Sequence, residues 1–164
     1  MRHCQYWFAC FLAAVFMGIS AARANPSILE MPLPSLDGNT HKISEWKNKI
    51  LIINVWATWC PPCREEIPTF IALQKQLAPK DVQFIGIAVD DKAPVADFVR
   101  AYGINYPTLL GGRETMMLLS LYGNRSGVVP QTLIFDQSGQ LVVNHLGILE
   151  EKELLAYLQP LWVK

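Results

Sequence analysis

Cysteine is scarce in this chain of 164 residues: there are four, and Cys4 and Cys10 fall within the first two dozen positions. That leaves Cys60 and Cys63, too few for a disulfide-stapled scaffold, which uses several pairs. A bridge between them alone would close so short a loop that it removes little chain entropy. Histidine is scarcer, at three, and His41 and His145 stand far from the cysteine pair in sequence. Zinc needs about four ligands, so no metal site is expected, and copper delivery fails on the same missing histidines. Net charge is lacking too: 14 Lys and Arg balance 14 Asp and Glu. With no basic run and no aromatic–basic interleaving, nucleic acid is excluded as the expected partner. Neither an internal repeat nor a low-complexity linker breaks the chain, whose length suits one ordinary domain with a real core.

The apolar run at the start falls short of the roughly 20 residues of a spanning helix. Residues 1–24 have the layout of an export signal: Arg2 near the start, residues 7–22 apolar apart from Ser20, then Ala22-Arg23-Ala24 with small residues at −3 and −1 of a cleavage site. Cleavage after Ala24 is the reading adopted, with an uncleaved membrane anchor open beside it. Cys10 is a poor lipoprotein site, since Trp7-Phe8-Ala9 is not a small, aliphatic lead-in. Loss of this segment, with Arg2 and Arg23, leaves 12 basic against 14 acidic side chains in residues 25–164, a net charge of −2.

What the chain does have is Trp56-Ala57-Thr58-Trp59-Cys60-Pro61-Pro62-Cys63-Arg64-Glu65-Glu66-Ile67-Pro68. A β-branched run over 50–55 precedes it and reads as a buried strand. Ile67, Phe70, Ile71, Leu73, Gln74 and Leu77 follow as a helical stripe. Cys60 therefore sits at the mouth of a helix and Cys63 in its first turn. Pro61 and Pro62 suit that turn, where no intrahelical N–H acceptor is lost. A sulfur there meets the positive end of the dipole and free amides, which favours thiolate. This is redox-active dithiol geometry.

Along the chain, the prolines of 25–37 predict extended structure with Leu33 and Leu36 docking. Asp37-Gly38-Asn39 turns into a short second strand over 40–43, and 44–47 makes one helical turn. A buried parallel strand over 82–89, a helix over 93–102 stopped by Gly103, a short strand over 106–110 and a helix over 113–122 come next. Strands over 131–135 and 141–145 flank Gln137-Ser138-Gly139 as a hairpin, and 150–158 closes as an amphipathic helix. The expected fold is α/β: a central mixed sheet flanked by helices.

These residues resemble the thioredoxin superfamily, and within it the exported TlpA/ResA/DsbE-like thiol–disulfide oxidoreductases. The resemblance spans residues 25–164 and is carried by the tryptophan-flanked Cys60-Pro61-Pro62-Cys63, by Pro68 five residues beyond, and by Val129-Pro130-Gln131-Thr132. It implies a thioredoxin fold with an N-terminal β-hairpin extension and a strand–helix insert over 82–106. It also implies a cis bond at Pro130, with the backbone of Val129 free to pair with an extended substrate segment. Cys60 is the expected attacking thiolate and Cys63 the resolving one, with Trp59, Pro61, Pro62 and Pro130 shaping the site.

Asn54 takes the place of a buried aspartate of cytoplasmic thioredoxins, cannot accept a proton, and reads as a satisfied core hydrogen bond. Asp91, after the strand over 82–89, has two readings: a carboxylate near the cysteines that tunes them, as in ResA-like reductases, and a helix N-cap before Ala93. Glu65 and Glu66 read as solvated first-turn carboxylates, and Trp56 and Trp59 as packing residues, with Trp59 also placed to cover the disulfide. No cofactor is expected, because sulfur does the chemistry.

Pro61 and Pro62 add neither charge nor N–H donors, leaving the amides of Cys63 and Arg64, which favours electron donation over oxidation. The expectation is a monomeric, periplasmic reductase of exported protein disulfides. Apocytochrome c cysteines are the leading substrate that the resemblance implies, and oxidase copper-site cysteines the second, with a membrane thiol reductant upstream. A thiol oxidant or isomerase, and a non-catalytic thioredoxin-fold binding module, are the alternatives. Peroxide reduction is disfavoured, because Ala57 stands where peroxiredoxins carry a threonine.

Overall fold

Seven consecutive buried residues, Ile50–Trp56, form β3, and a strand with no exposed position must be covered on both faces. In the computed structural model, which describes residues 27–162, β3 is the middle of a five-stranded sheet. It pairs in parallel with β4 (Val82–Ala88) and antiparallel with β6 (Gln131–Phe135). The edge strands are β5 (Thr108–Leu110), parallel to β4, and β7 (Leu141–Leu146), antiparallel to β6. The sheet is mixed, as the alternation of elements predicts. Residues 1–24, with the expected signal, Cys4 and Cys10, lie outside the described residues.

Alternation along β3 assigns the two faces. Ile50 and Ile52 meet Phe70, Leu73 and Leu77 of α1 (Pro61–Leu77), together with Leu154 and Leu158 of α4 (Glu151–Leu158). Leu51, Ile53 and Val55 face the other way, onto Leu119 of α3 (Arg113–Leu121) and onto Ile28, Leu33 and Ile43 of the N-terminal segment. At the C-terminal end of β3 a third cluster gathers Trp56, both cysteines, Ile67, and Val95 and Phe98 of α2 (Lys92–Tyr102). Gly103 ends α2 with φ +67°, a left-handed cap that a side chain resists.

The N-terminal extension is the expected hairpin, β1 (Leu33–Pro34) against β2 (Thr40–His41). It also covers an edge, since Ser35 bridges antiparallel to Leu109 of β5 and so shields backbone groups open to a second chain. Upstream, the amide of Ile28 donates to the Tyr122 hydroxyl at 3.2 Å. Leu29 reaches Gly139 in the β6–β7 turn. That turn follows Phe135, which pairs with Leu51 near the start of β3. The described chain thus begins at the end of the sheet opposite the cysteines.

Candidate active site

The active turn is assembled where β3 hands over to α1. Cys60 is the N-cap of α1, Pro61 and Pro62 open it, and the amide of Cys63 donates to Cys60 Sγ at 3.3 Å. That bond is the contact expected to favour thiolate at Cys60. The amide of Arg64, expected as a second donor, goes instead to the Cys60 carbonyl at 3.3 Å. Among the described residues one backbone donor therefore serves the sulfur. The two cysteines form a disulfide with an S–S distance of 2.22 Å. Cys60 is 3 % exposed and Cys63 fully buried, so of the two it is Cys60 that retains contact with solvent.

Cys60 Sγ lies 3.5 Å from the carbonyl oxygen of Val129, to which a reduced thiol can donate. The Val129–Pro130 bond is cis. No other backbone group takes the N–H or C=O of Val129 among the described residues. The loop is held from behind by Asn124, which is buried. Its Oδ1 accepts from the Val128 amide at 2.9 Å, and its Nδ2 donates to the Val128 carbonyl at 2.8 Å and to Gln131 Oε1 at 2.9 Å. Gln131 Nε2 in turn donates to Asn144 Oδ1 at 2.8 Å. Nothing in the local sequence marks Asn124 for this work beyond its place after Gly123.

The largest departure from the sequence reading is Glu66. Expected in solvent, it is 2 % exposed, on the inner face of α1 three residues past Cys63 and so on the same side of the helix. Asn54 Nδ2 donates to Glu66 Oε1 at 2.7 Å and the Leu149 amide to Oε2 at 3.1 Å. Burial raises its carboxyl from 4.5 to about 7, against the lowering effect of the Leu149 and Asn54 hydrogen bonds. The same burial, and then the charge of Glu66, raise the Tyr106 phenol. Asn54 thus has a definite bond, though its Oδ1 finds no partner among the described residues. Where Asn54 cannot take a proton, the neighbouring Glu66 can. Its spacing from Cys63 and Phe70 puts it on the buried stripe and could have revealed it. Glu65 is exposed, as expected.

Asp91 is exposed and, although it occupies the N-cap position of α2, its side chain makes no cap bond. The N-cap reading holds for its place though not for a side-chain bond, and among the described residues no hydrogen bond joins the Asp91 carboxylate to the active turn. The carboxylate that meets the active turn is Asp90, whose Oδ2 accepts from the Thr58 amide at 3.3 Å and from the Thr58 hydroxyl. Burial alone would raise the Asp90 carboxyl, but the hydrogen bonds from Thr58 and the Asp91 amide outweigh it and hold the group below its ordinary value. Asp90 stands in the bend two residues past β4, where it reaches Thr58, and Asp91 leads into α2. Trp56 packs in the core, 4.9 Å from the Phe98 ring centroid. Trp59, expected to pack, is 65 % exposed beside Cys60. His41 pairs with Glu45 at 2.8 Å and His145 with the Ile148 carbonyl at 3.0 Å. Among the described residues, no three His, Cys, Asp or Glu side chains are grouped to hold a metal.

A family profile described as AhpC/TSA matches residues 26–144. The thiol-disulfide oxidoreductase ResA of Halalkalibacterium halodurans is 27 % identical over 150 residues, 91 % of this chain and 83 % of that protein. A thiol:disulfide interchange protein of the thioredoxin family from Chlorobium tepidum superposes with TM-score 0.69 at 28 % identity, covering 85 % of this chain and 99 % of its own. A secreted thiol-disulfide isomerase from Corynebacterium glutamicum gives TM-score 0.75 at 26 % identity, covering 84 % and 86 %. With a cysteine pair at disulfide distance in a thioredoxin fold, the protein is a thiol-disulfide oxidoreductase of the ResA type, and the chain belongs to the AhpC/TSA family.

Proposed function

We infer that the protein is an exported, periplasmic reductase of protein disulfides. In the first step the Cys60 thiolate attacks a substrate disulfide. One substrate sulfur bonds to Cys60, and the other leaves as thiolate and takes a proton. Cys63 then gives up its proton and attacks Cys60 Sγ, forming the Cys60–Cys63 disulfide and releasing the second substrate thiolate. Two electrons pass to the substrate, and an upstream dithiol, a membrane thiol reductant in this reading, restores the pair. Glu66, one turn below Cys63, is the proton acceptor for that second step. The free backbone of Val129 holds the substrate segment in an extended pose, as in strand addition. No cofactor enters.

The observation that carries the reducing direction is the surroundings of the pair: one amide donor to Cys60, no cation inside the motif, and a buried carboxyl beneath Cys63. A second buried anion next to that carboxyl is costly. The dithiol state is therefore not stabilised as it is in strong oxidants. Export rests on residues 1–24 and agrees with the secreted neighbour from Corynebacterium. No helix among the described residues is long and apolar enough to cross a membrane. Apocytochrome c cysteines are the first substrate to test, and oxidase copper-site cysteines the second.

A redox titration should place the pair below about −200 mV; a value near the roughly −120 mV of a strong oxidant would overturn the direction in favour of an oxidant or isomerase. Cys63→Ala stalls the exchange at the mixed disulfide, so substrates captured on it in the periplasm identify themselves, and Cys60→Ser should capture none.

A further inference from the structure

A groove of about 770 Å³ runs along the outer side of α3 to the loop over 124–128. Met117 and Leu121, each 66 % exposed, give it an apolar floor, and Met116 packs against Gly127 across it. Two features say what it takes. First, its loop side leads along the chain to the reactive sulfur. Its last residue, Gly127, is followed by exposed Val128, then by Val129, whose carbonyl faces Cys60 Sγ at 3.5 Å. Second, its charge is one-sided. Arg125 stands exposed at the far end with no carboxylate partner among the described residues, and no acidic side chain lines the groove. The near end, shared with Arg113, opens instead beside Asp90 and Asp91 and is mixed in sign.

Resting on the reductase reading above, we propose that this groove selects the substrate, binding an extended polypeptide segment with apolar side chains beside the target cysteine and a carboxylate about four residues away. Arg125 lies four positions before Val129, in a turn that the Gly127 amide closes onto the Asn124 carbonyl, so its Cα stands no more than about 13 Å from Val129 and an extended segment pairing with Val129 covers that span in about four residues. Met117 and Leu121 supply the apolar contact, and Arg125 supplies the sign. Methionine suits such a surface, because an unbranched, polarisable side chain adapts to varied partners.

The test uses peptides with one cysteine, blocked as a mixed disulfide with thionitrobenzoate, so that attack by reduced Cys60 releases a coloured thiolate. Each peptide carries the same apolar trio next to the cysteine, with aspartate or lysine four residues away, in both chain directions. In one direction the aspartate peptide should react roughly fivefold faster than its lysine twin, the scale of an exposed ion pair. Arg125→Glu should invert that ratio, and Met117→Ser should slow both peptides while keeping it. Comparing ratios cancels any change in the reactivity of the sulfur itself.

Equal rates with aspartate and lysine in both directions, or a preference that survives Arg125→Glu, would overturn the proposal while leaving the reductase reading intact. So would a dimer in sedimentation equilibrium that Met117→Ser dissociates, since a second copy would then fill the groove. A wild-type protein that releases no thiolate from any peptide would remove both.

Discussion

At the scale of single residues, Glu66 carries the most consequence. Its carboxyl holds a proton up to about pH 7 in the fold and only to about 4.5 in the unfolded chain. Between those values the native state binds more protons, so this group's contribution to stability is present in full below about 4.5 and is lost as pH rises through 7. The loss amounts to about 3 kcal/mol. Urea unfolding of the oxidised protein at pH 4.5, 6 and 8 should show that decline superimposed on other titrations. Glu66→Gln should flatten it and make the variant the more stable of the two at pH 8. An identical slope in both proteins would show that Glu66 titrates as an ordinary surface carboxylate. The cysteines, the prolines between them and Pro130 were legible because each breaks a local pattern for a chemical reason. Glu66 was not, since a glutamate so close to a helix start has a ready explanation in the dipole, although α1 begins at Pro61 and its first turn holds no acidic residue. Asp91 was the candidate, and its neighbour Asp90, in the bend past β4, is the one that meets Thr58.

At the scale of elements, the loop over 124–131 depends on side-chain amides for its shape. Asn124→Ala removes both bonds to Val128 and strips Gln131 of a donor inside the protein. A cost of about 2–3 kcal/mol is expected from the buried groups left unpaired. Because Val129 is the residue that faces Cys60, exchange with a protein disulfide should slow more than exchange with a small one such as oxidised glutathione. Chemical denaturation and insulin-reduction assays read the two effects separately, and full activity on insulin in a destabilised variant would show that the loop needs no such support. Element order and type could be read in advance, because the strands are short β-branched runs and Gly103, Gly123 and Gly139 punctuate them. The bridge from Ser35 to Leu109 could not be read, since two residues so distant in sequence carry no periodic signal of their pairing.

Over the whole molecule, redox state and folding stability are one linked quantity. If the fold favours the disulfide over the dithiol, the oxidised protein must be the harder to unfold. The difference equals its potential relative to an unfolded Cys-x-x-Cys pair, about 1.4 kcal/mol for each 30 mV. Unfolding midpoints of the oxidised and reduced forms should therefore differ in that direction. A reduced form that outlasts the oxidised one would contradict the assigned electron flow independently of any substrate. Two apolar layers of the sheet were foreseeable from β3 alone, whose odd and even residues both had to be buried. The third cluster, around the cysteines, needed α2 brought over the sheet's end, and this is a matter of tertiary packing.

The described chain enters beside the β6–β7 turn, at the pole farthest from the reactive sulfur. Any leash on the leader would therefore hold the molecule by its tail. Were the leader kept as an anchor, Cys60 would point away from the point of attachment and stay free to sweep for targets.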